Sequence, residues 1–264
     1  MAITTLDGYI ASAKQFVGIA KTASRTTIAA MPFSVFDLAG NNGAGTLAGA
    51  NTANGVVPTD ATAGCPIINA FGGGATGYLA KLEFGSTVAS RLRLFDLLFK
   101  AGAYSFNANT TLTSQPSYAS RIPDSDYTGT QIWIEAVTAH TGNLSIAVTY
   151  TNQSGTTGKT TGTVATGVAP TVGLMIQLPL AAGDSGVQKI ESVVATVSTA
   201  GTFNVLVLRP LWTGRVAVAN AGDSHGLDKT GMPVVFADSA LFLQVIADST
   251  ASGIPEINAV IANG

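Results

Sequence analysis

Strict alternation between apolar residues and small or polar residues runs through two stretches of this sequence, 144–150 and 172–178. The apolar positions of the first stretch are Leu144, Ile146, Val148 and Tyr150. A period of two places successive side chains on opposite faces of a β-strand, so each stretch predicts a strand with one buried face. An amphipathic helix would instead need apolar residues at three- and four-residue steps.

Further apolar runs, separated by Gly, Thr and Asn, extend this β pattern through the chain after Tyr78. The predicted strands are 78–84, 91–96, 131–138, 159–165, 189–198, 203–209 and 241–247, with weaker candidates at 104–110 and 256–262. Residues 88–101 carry both helical and strand spacing, and we interpret them as a strand that runs into a short turn. Many short strands with almost no long helix predict a mainly β fold, an antiparallel β-sandwich that is jelly-roll-like.

The N-terminal part of the chain carries different patterns. Residues 4–21 predict a helix, because Leu6, Ile10 and Val17 fall on three- and four-residue steps and Thr4 with Asp7 fits a capping pattern. This helix either docks on its own domain or lies as an arm on a neighbouring subunit. Residues 40–77, rich in Gly, Ala, Asn and Thr, predict an extended arm, either a flexible linker or an ordered segment between partners.

The predicted organisation is therefore a helix and glycine-rich arm over residues 1–77, followed by a β-sandwich domain over residues 78–264. Composition adds a constraint on the surface of this domain. Charged residues make up 11 % of the 264 residues, whereas an ordinary soluble domain has about 25 %. Since charge keeps protein surfaces apart, so low a fraction predicts that neighbouring subunits cover much of the surface, as in a homo-oligomer or larger assembly.

Charge and hydropathy also exclude two classes of partner. The net charge is −2 and no basic cluster is present, so the sequence predicts no nucleic-acid partner. No apolar run approaches the roughly 18 residues of a membrane span, so it predicts no membrane partner. The first residues lack a basic start and an apolar segment, which predicts a chain made and used without the usual export.

The segment GTTGKT, within residues 152–161, imitates a phosphate-binding loop. The motif G-x-x-x-x-G-K-[ST] requires a glycine where this chain has Gln153, and a helix must open at the lysine. Here strand-like residues lie on both sides of the loop. We therefore predict a hairpin of residues 144–151 and 159–165 with an exposed loop at 152–158, and no nucleotide or other cofactor.

Asp223, Ser224 and His225 resemble the nucleophile block of the GDS-type esterases. Three adjacent residues cannot form a catalytic triad, because the base must come from elsewhere in the fold, and His140 lies upstream in the wrong order. A turn at Gly222 explains the same residues without any catalytic role. The sequence therefore predicts no catalytic residue and no enzyme activity.

Residues 124–135 match part of a calcium loop. Its positions 1, 3, 6 and 12 are Asp124, Asp126, Gly129 and Glu135. A strand follows the loop where a helix is required, so we interpret the segment as an Asp-rich turn that enters a strand. Asp124 and Asp126 remain weak candidates for a divalent metal ion.

Trp133 is the aromatic residue of most interest for binding. It shares a strand face with Gln131 and Glu135, opposite Ile132 and Ile134, which predicts a partly exposed ring. Such a ring either stacks on a sugar or anchors an interface, where Trp is enriched. The predicted interface residues are Leu6, Ile10, Val17 and Trp133.

Several segments together resemble a known group of proteins. They are TGYLAKLEF, LFDLLFKAG, GTQIWIEAVTAHTGNLSIAVTYTNQSGTTGKTT, GTFNVLVLRPLW and MPVVFADSALFLQVIADST. With the start MAITTLDG, they resemble uncharacterised structural proteins of tailed bacteriophages that are encoded among head genes. The resemblance spans most of the chain beyond residue 76 and carries no catalytic residue.

This resemblance implies a virion component made in the host cytoplasm, most specifically a capsid decoration or cement subunit. Its partners would be the major capsid protein and sister subunits, bound through multivalent contacts. A tail- or fibre-associated virion subunit is the alternative within the same class. A carbohydrate-binding β-sandwich module, which needs an exposed aromatic platform, is the alternative from another class.

Overall fold

The computed structural model describes residues 3–140, 145–164, 171–196 and 200–264. Its first strands are β1 (Ala13–Lys21), β2 (Pro32–Ser34), β3 (Gly40–Asn41), β4 (Gly77–Ser86), β5 (Ser90–Ser105), β6 (Asn109–Thr111), β7 (Gln131–Ala136) and β8 (Ile146–Asn152). The remaining strands are β9 (Lys159–Thr160), β10 (Met175–Leu178), β11 (Val187–Ala195), β12 (Thr202–Val216), β13 (Ala221–His225), β14 (Val234–Val235), β15 (Leu241–Ala247) and β16 (Pro255–Asn263). The α-helices are α1 (Leu6–Ala11) and α2 (Leu227–Thr230), and short 3₁₀ turns cover Ala119–Arg121 and Pro123–Ser125.

These strands form three antiparallel sheets. The first sheet has the order β13-β4-β16-β1-β3, with β14 also paired to β4. The central sheet has the order β10-β7-β12-β5-β15-β2, and the third sheet has the order β6-β11-β8-β9. The predicted fold class, mainly β with packed antiparallel sheets, is confirmed.

The two longest strands, β5 and β12, organise the packing because each contributes to more than one core. The core between the first and central sheets includes Val17, Ile19, Leu79, Leu82, Leu92, Leu94, Leu243, Ile257 and Ile261. The core between the central and third sheets includes Leu98, Phe99, Tyr104, Ile132, Ile134, Ile146, Val148, Ile190, Phe203 and Val205. The period-two pattern of the sequence thus marks the inward faces of all three sheets.

The opposite face of the central sheet is also covered, by the glycine-rich part of the chain. Phe36 and Cys65 pack there with Trp133, Leu206 and Phe242. The backbone of this segment is bonded to the sheet as well, since Val56 exchanges two 2.9 Å hydrogen bonds with Lys100.

Asn204 in β12 holds a second point of the glycine-rich segment. Its Oδ1 accepts from the Gly49 N–H at 2.8 Å, and its Nδ2 donates to the Leu47 carbonyl at 2.6 Å. A Cβ on Gly49 would lie 2.8 Å from the Gly102 backbone nitrogen, so only glycine allows this approach. These contacts correct the expectation of an extended arm over residues 40–77, because the segment packs on its own chain.

Cys65 offers a direct probe of this packing. Burial raises the pKa of its thiol to about 12, and only the thiolate is nucleophilic. At pH 8 its thiolate fraction should be about a thousandfold below that of a free cysteine with a pKa of about 8.5. We expect almost no reaction with a thiol-specific disulfide reagent in the folded protein and complete reaction in denaturant. Rapid labelling of the folded protein would show that the segment separates from the sheet.

The predicted helix over residues 4–21 is wrong beyond Ala11. The helix α1 ends there, and residues 13–21 form β1, which pairs with β16 from Ala13–Asn263 to Ala20–Glu256. Val17 fits the helical spacing from Ile10, but it also fits a period of two with Ile19. Burial of Val17 and Ile19 between two sheets favours the strand.

Several predicted strands are confirmed with different lengths. The stretch 88–101 does not end in a turn, because β5 begins at Ser90 and continues to Ser105. Strand β9 covers only Lys159–Thr160, with an isolated bridge from Val164 to Ile146. Leu144, residue 165 and residues 197–198, which belong to predicted strands, lie outside the described residues.

A buried charged cluster joins strands that are distant in sequence. Asp96 in β5 is fully buried, and its carboxylate accepts from the Arg209 guanidinium at 3.0 Å, the Ser239 hydroxyl at 2.9 Å and the Ala240 N–H at 3.2 Å. Arg121, also fully buried, lies 3.3 Å from the same carboxylate. Because a buried charge needs a partner, this cluster fixes the loops around residues 121 and 239 against the central sheet.

Candidate functional site

The candidate site consists of three exposed apolar side chains near the N-terminus, those of Leu6, Ile10 and Phe16, which are together called the apolar surface. These side chains are 65 %, 66 % and 83 % exposed, respectively. Leu6 and Ile10 belong to α1, which buries none of its residues. Exposed leucine, isoleucine and phenylalanine side chains so close together in the chain are typical of an interaction surface.

Local hydrogen bonds hold α1 in place despite its lack of buried residues. The Thr5 hydroxyl accepts from the Gly8 N–H at 3.0 Å and caps the start of the helix. At the other end, the Lys14 ammonium donates to the Tyr9 carbonyl at 2.8 Å and to the Ser12 carbonyl at 2.9 Å. The cation at the helix C-terminus also interacts favourably with the helix dipole.

The strand β1 places Phe16 on the outer face of the first sheet. Side chains alternate along the strand, so the burial of Val17 and Ile19 turns Phe16 and Gly18 outward. Gln15 ties the strand to the loop beside it, because its amide donates to the Asn69 carbonyl at 3.1 Å and accepts from the Asn69 N–H at 2.9 Å. The ring of Phe16 is therefore presented on a fixed backbone.

Two of the four predicted interface residues lie elsewhere. Leu6 and Ile10 are on the exposed surface, whereas Val17 is in the core between the first and central sheets. Trp133, predicted to be partly exposed, is 2 % exposed, since the glycine-rich segment covers its face of the central sheet. Neither Val17 nor Trp133 is available to a partner in this conformation.

The indole N–H groups of both tryptophans donate hydrogen bonds to other side chains of the same chain. Trp133 donates to the Gln131 amide oxygen at 2.9 Å, and Trp212 donates to Nδ1 of His225 at 2.9 Å. Trp212 is 7 % exposed and packs edge-on against Phe84. Neither ring provides the exposed platform that sugar stacking requires.

The loop containing GTTGKT joins β8 to β9, and the predicted hairpin is confirmed by the pairs Thr149–Thr160 and Tyr150–Lys159. A carboxylate already occupies the position that an anion would need. The Gly158 N–H lies 3.1 Å and 3.2 Å from the two oxygens of Glu191, which also accepts from the Thr151 hydroxyl at 2.7 Å. The negative charge of Glu191 disfavours a phosphate at this loop.

Two substitutions separate this structural role from phosphate binding. Glu191→Ala removes the acceptor of Gly158 and Thr151 and should lower the free energy of unfolding by about 1–2 kcal/mol. Lys159→Ala, the matched control, should change it by less than about 0.5 kcal/mol. Both are measurable by urea denaturation. Stabilisation of the wild type by magnesium and ATP in a thermal shift assay would contradict this interpretation.

The GDSH segment forms the edge strand β13 rather than the predicted turn. It pairs with β4 from Ala221–Ser86 to His225–Leu82. Because side chains alternate, Asp223 and His225 share one face, where His225 Nε2 lies 3.9 Å from the Asp223 carboxylate, and Ser224 points to the other face. The strand therefore separates the serine from the histidine.

The Asp-rich turn does not gather the side chains of a calcium loop. Asp126 is exposed and accepts from the Thr128 N–H at 2.9 Å. Hydrogen bonding to the side chain of Thr128, and then to its backbone, lowers the pKa of the Asp126 carboxyl group. Glu135 is fully buried and accepts from the Asn204 amide at 2.8 Å. Across the described ranges, no three His, Cys, Asp or Glu side chains are grouped as metal ligands. Asp124 and Asp126 thus stay weak candidates, without Glu135.

Sequence reasoning missed Phe16 as a surface residue. It was assigned to a helix, in which residues 16 and 17 lie on overlapping faces. A period of two through Gln15, Val17 and Ile19 was the available signal, and it places Phe16 on the opposite face.

Neither helix described by the structure has the length and hydropathy of a membrane span. No protein-family model matches the chain, and no curated protein matches it.

Among solved structures, a mutant VP2 protein of infectious bursal disease virus in T=1 particles is similar at 11 % identity, over 96 % of this chain and 77 % of that chain, with a TM-score of 0.16. The VP1 pentamer of KI polyomavirus is similar at 11 % identity, over 96 % and 93 %, with a TM-score of 0.20. Arabinosyltransferase EmbB from Mycobacterium smegmatis is similar at 12 % identity, over 79 % and 21 %, with a TM-score of 0.16. The similarity to viral capsid proteins is therefore weak, and it does not indicate a function for this chain.

Proposed function

We propose that this chain is a structural subunit of a bacteriophage virion, specifically a capsid decoration or cement subunit. The observation that carries the proposal is the exposed apolar surface of Leu6, Ile10 and Phe16 on a chain with only 11 % charged residues. Covering such a surface with a partner lowers the free energy, because apolar side chains are removed from water. The sequence resemblance to tailed-phage structural proteins supports the same class.

The geometry suits adhesion through repeated contacts. Fully covering an apolar side chain of this size contributes about 1.5–3 kcal/mol, so one surface alone gives modest binding. A shell presents many copies of each site, and linked contacts bind much more tightly than single ones. Because β1 is paired with β16, Phe16 does not have to be ordered on binding, which lowers the entropic cost.

In this proposal, the major capsid protein or a sister subunit covers the apolar surface. The fold behind it acts as a rigid support. The segments that carry the resemblance form this support, since TGYLAKLEF lies in β4 and LFDLLFKAG lies in β5. The surface itself lies in the first sixteen residues, at the edge of that support.

Mass spectrometry of purified virions tests the proposal. We expect the chain in intact particles and, after separation of heads from tails, in the head fraction at many copies per particle. Its presence only in the tail fraction would favour a tail- or fibre-associated subunit. Its absence from particles that are produced while the chain is expressed would contradict a virion role altogether.

A further inference from the structure

A cavity of about 450 Å³ opens on the central sheet, beside β5, β7, β10 and β12. Its polar walls are Arg91, Arg93, Gln131, Gln177 and Thr213. Its apolar walls are Phe95, Pro210, Leu211 and Trp212. The volume lies within the range of about 300–1,000 Å³ that is usual for small-molecule sites.

Positive charge is concentrated at this cavity although the chain as a whole is negative. Arg91 and Arg93 are two residues apart in β5 and so share one face. Arg215 on β12 lies directly opposite Arg91. Like charges in directly opposed positions of a sheet are destabilising, so this arrangement works against the stability of the free protein.

Few acceptors within the chain offset these charges. The backbone of Arg91 is paired within the sheet, but its side chain forms no hydrogen bond or ion pair with the residues that the structure describes. Arg93 has a single long hydrogen bond, of 3.5 Å, to the Gln244 amide oxygen. Asp248 lies 3.8 Å from Arg215, and both side chains are more than half exposed, so water screens this pair. Burial, and then the charge of Arg91, lower the pKa of the Arg93 guanidinium.

Gln131 also lines this cavity. Its amide oxygen accepts from the buried Trp133 indole N–H at 2.9 Å, so the NH₂ group is the part of this amide that remains for a ligand. Arginine side chains are donors only. The walls formed by Arg91, Arg93 and Gln131 therefore present donors, and the complementary ligand is an acceptor that carries negative charge.

We infer that this cavity binds the carboxylate of a small organic acid. Arg91 and Arg93 hold the carboxylate, since guanidinium groups match its geometry and form charge-assisted hydrogen bonds. Gln131 donates to a further oxygen of the ligand. Leu211 and Trp212 cover its carbon skeleton, which an inorganic anion lacks. Sugar acids and dicarboxylic acids both carry this chemistry.

Isothermal titration calorimetry of the full chain tests the inference with four probes: glucuronate, glutarate, glucose and inorganic phosphate. We expect at least one of the two acids to bind, glucose not to bind, and phosphate to bind more weakly than that acid. Binding of glucuronate alone assigns a sugar acid, and binding of glutarate assigns a simple carboxylate, as in an acidic side chain. Failure of both acids to bind, or equal or tighter binding of phosphate, would overturn the inference.

Arg93→Gln should weaken binding of the acid about tenfold, because it removes a charge-assisted hydrogen bond. Lys189→Gln is the matched control, since it removes the same charge from an exposed position on β11 and should leave the affinity unchanged. Arg91→Gln is the second variant, and it should also keep or raise the melting temperature of the free protein because it relieves repulsion with Arg215. Equal affinities for Arg93→Gln, Arg91→Gln and Lys189→Gln would show that the cavity does not hold the acid.

Discussion

Asp96→Asn should lower the free energy of unfolding by about 3–5 kcal/mol, because it leaves Arg121 and Arg209 buried without a counter-charge. Arg121 is fully buried, and its other contacts are carbonyl groups, the Leu97 carbonyl at 2.8 Å and the Asp238 carbonyl at 3.0 Å. These carbonyl groups accept from the two terminal nitrogens of its guanidinium group but do not neutralise its charge. Denaturation in urea, followed by the fluorescence of the two buried tryptophans, measures the loss.

Asp248→Asn is the control for this substitution. Its carboxylate lies 3.8 Å from Arg215 at an exposed position, and surface pairs of this kind contribute about 0–1 kcal/mol. We therefore expect little change in the urea midpoint. If Asp96→Asn and Asp248→Asn have similarly small effects, the buried cluster does not stabilise the fold in the way described.

Deletion of residues 1–21 should lower the melting temperature by about 10–20 °C or prevent folding. The deletion removes β1, and with it Val17 and Ile19 from the core between two sheets. Burial of two such side chains contributes about 3–6 kcal/mol, and each kcal/mol corresponds to about 2–4 °C in a chain of this size. Strand β16 would also lose its partner along one edge.

Deletion of residues 1–11 supplies the comparison. It removes α1, which buries no residue, and leaves β1 intact, so the melting temperature should change by only a few degrees. Circular dichroism during heating distinguishes the two deletions. Equal destabilisation by both would mean that α1 supports the fold, and equal tolerance of both would mean that β1 does not.

The strands that alternate cleanly were the most predictable part of the fold. The pattern at 144–150 corresponds to β8, and 241–247 corresponds to β15, because a regular period of two with turn residues on each side has few other interpretations. Residues 13–21 were misassigned because small residues at 13, 18 and 20 make the helical and strand periods hard to separate. Pairing with β16, which is distant in sequence, stabilises the strand rather than the helix.

Burial on both faces of the central sheet could not be read from the sequence. Trp133 and Glu135 fall on a face that alternation marks as polar, yet both are buried beneath the glycine-rich segment. Glycines such as Gly49 look like linker residues in a sequence, whereas in the fold they allow close packing against the sheet. The partners that neutralise Asp96 likewise come from distant loops and carry no local pattern.

The candidate interface was predicted in part. Leu6 and Ile10 were identified from their spacing, and both are exposed. Val17 and Trp133 are instead buried in the protein core. Phe16, the most exposed of the apolar residues named here, lay outside the predicted helical stripe. A surface residue is recognised only once the strand that carries it is assigned.

Binding to phage particles assembled without this chain tests the proposed role most directly. Purified wild-type chain, sedimented with such particles and quantified by mass spectrometry, should bind at many copies per particle. The variant Leu6→Ser, Ile10→Ser, Phe16→Ser should keep the circular dichroism and melting temperature of the wild type, yet lose at least about nine-tenths of that binding, since covering the three side chains supplies the free energy. Failure of the wild type to bind, or equal binding by the folded variant, would contradict the proposed role of the apolar surface.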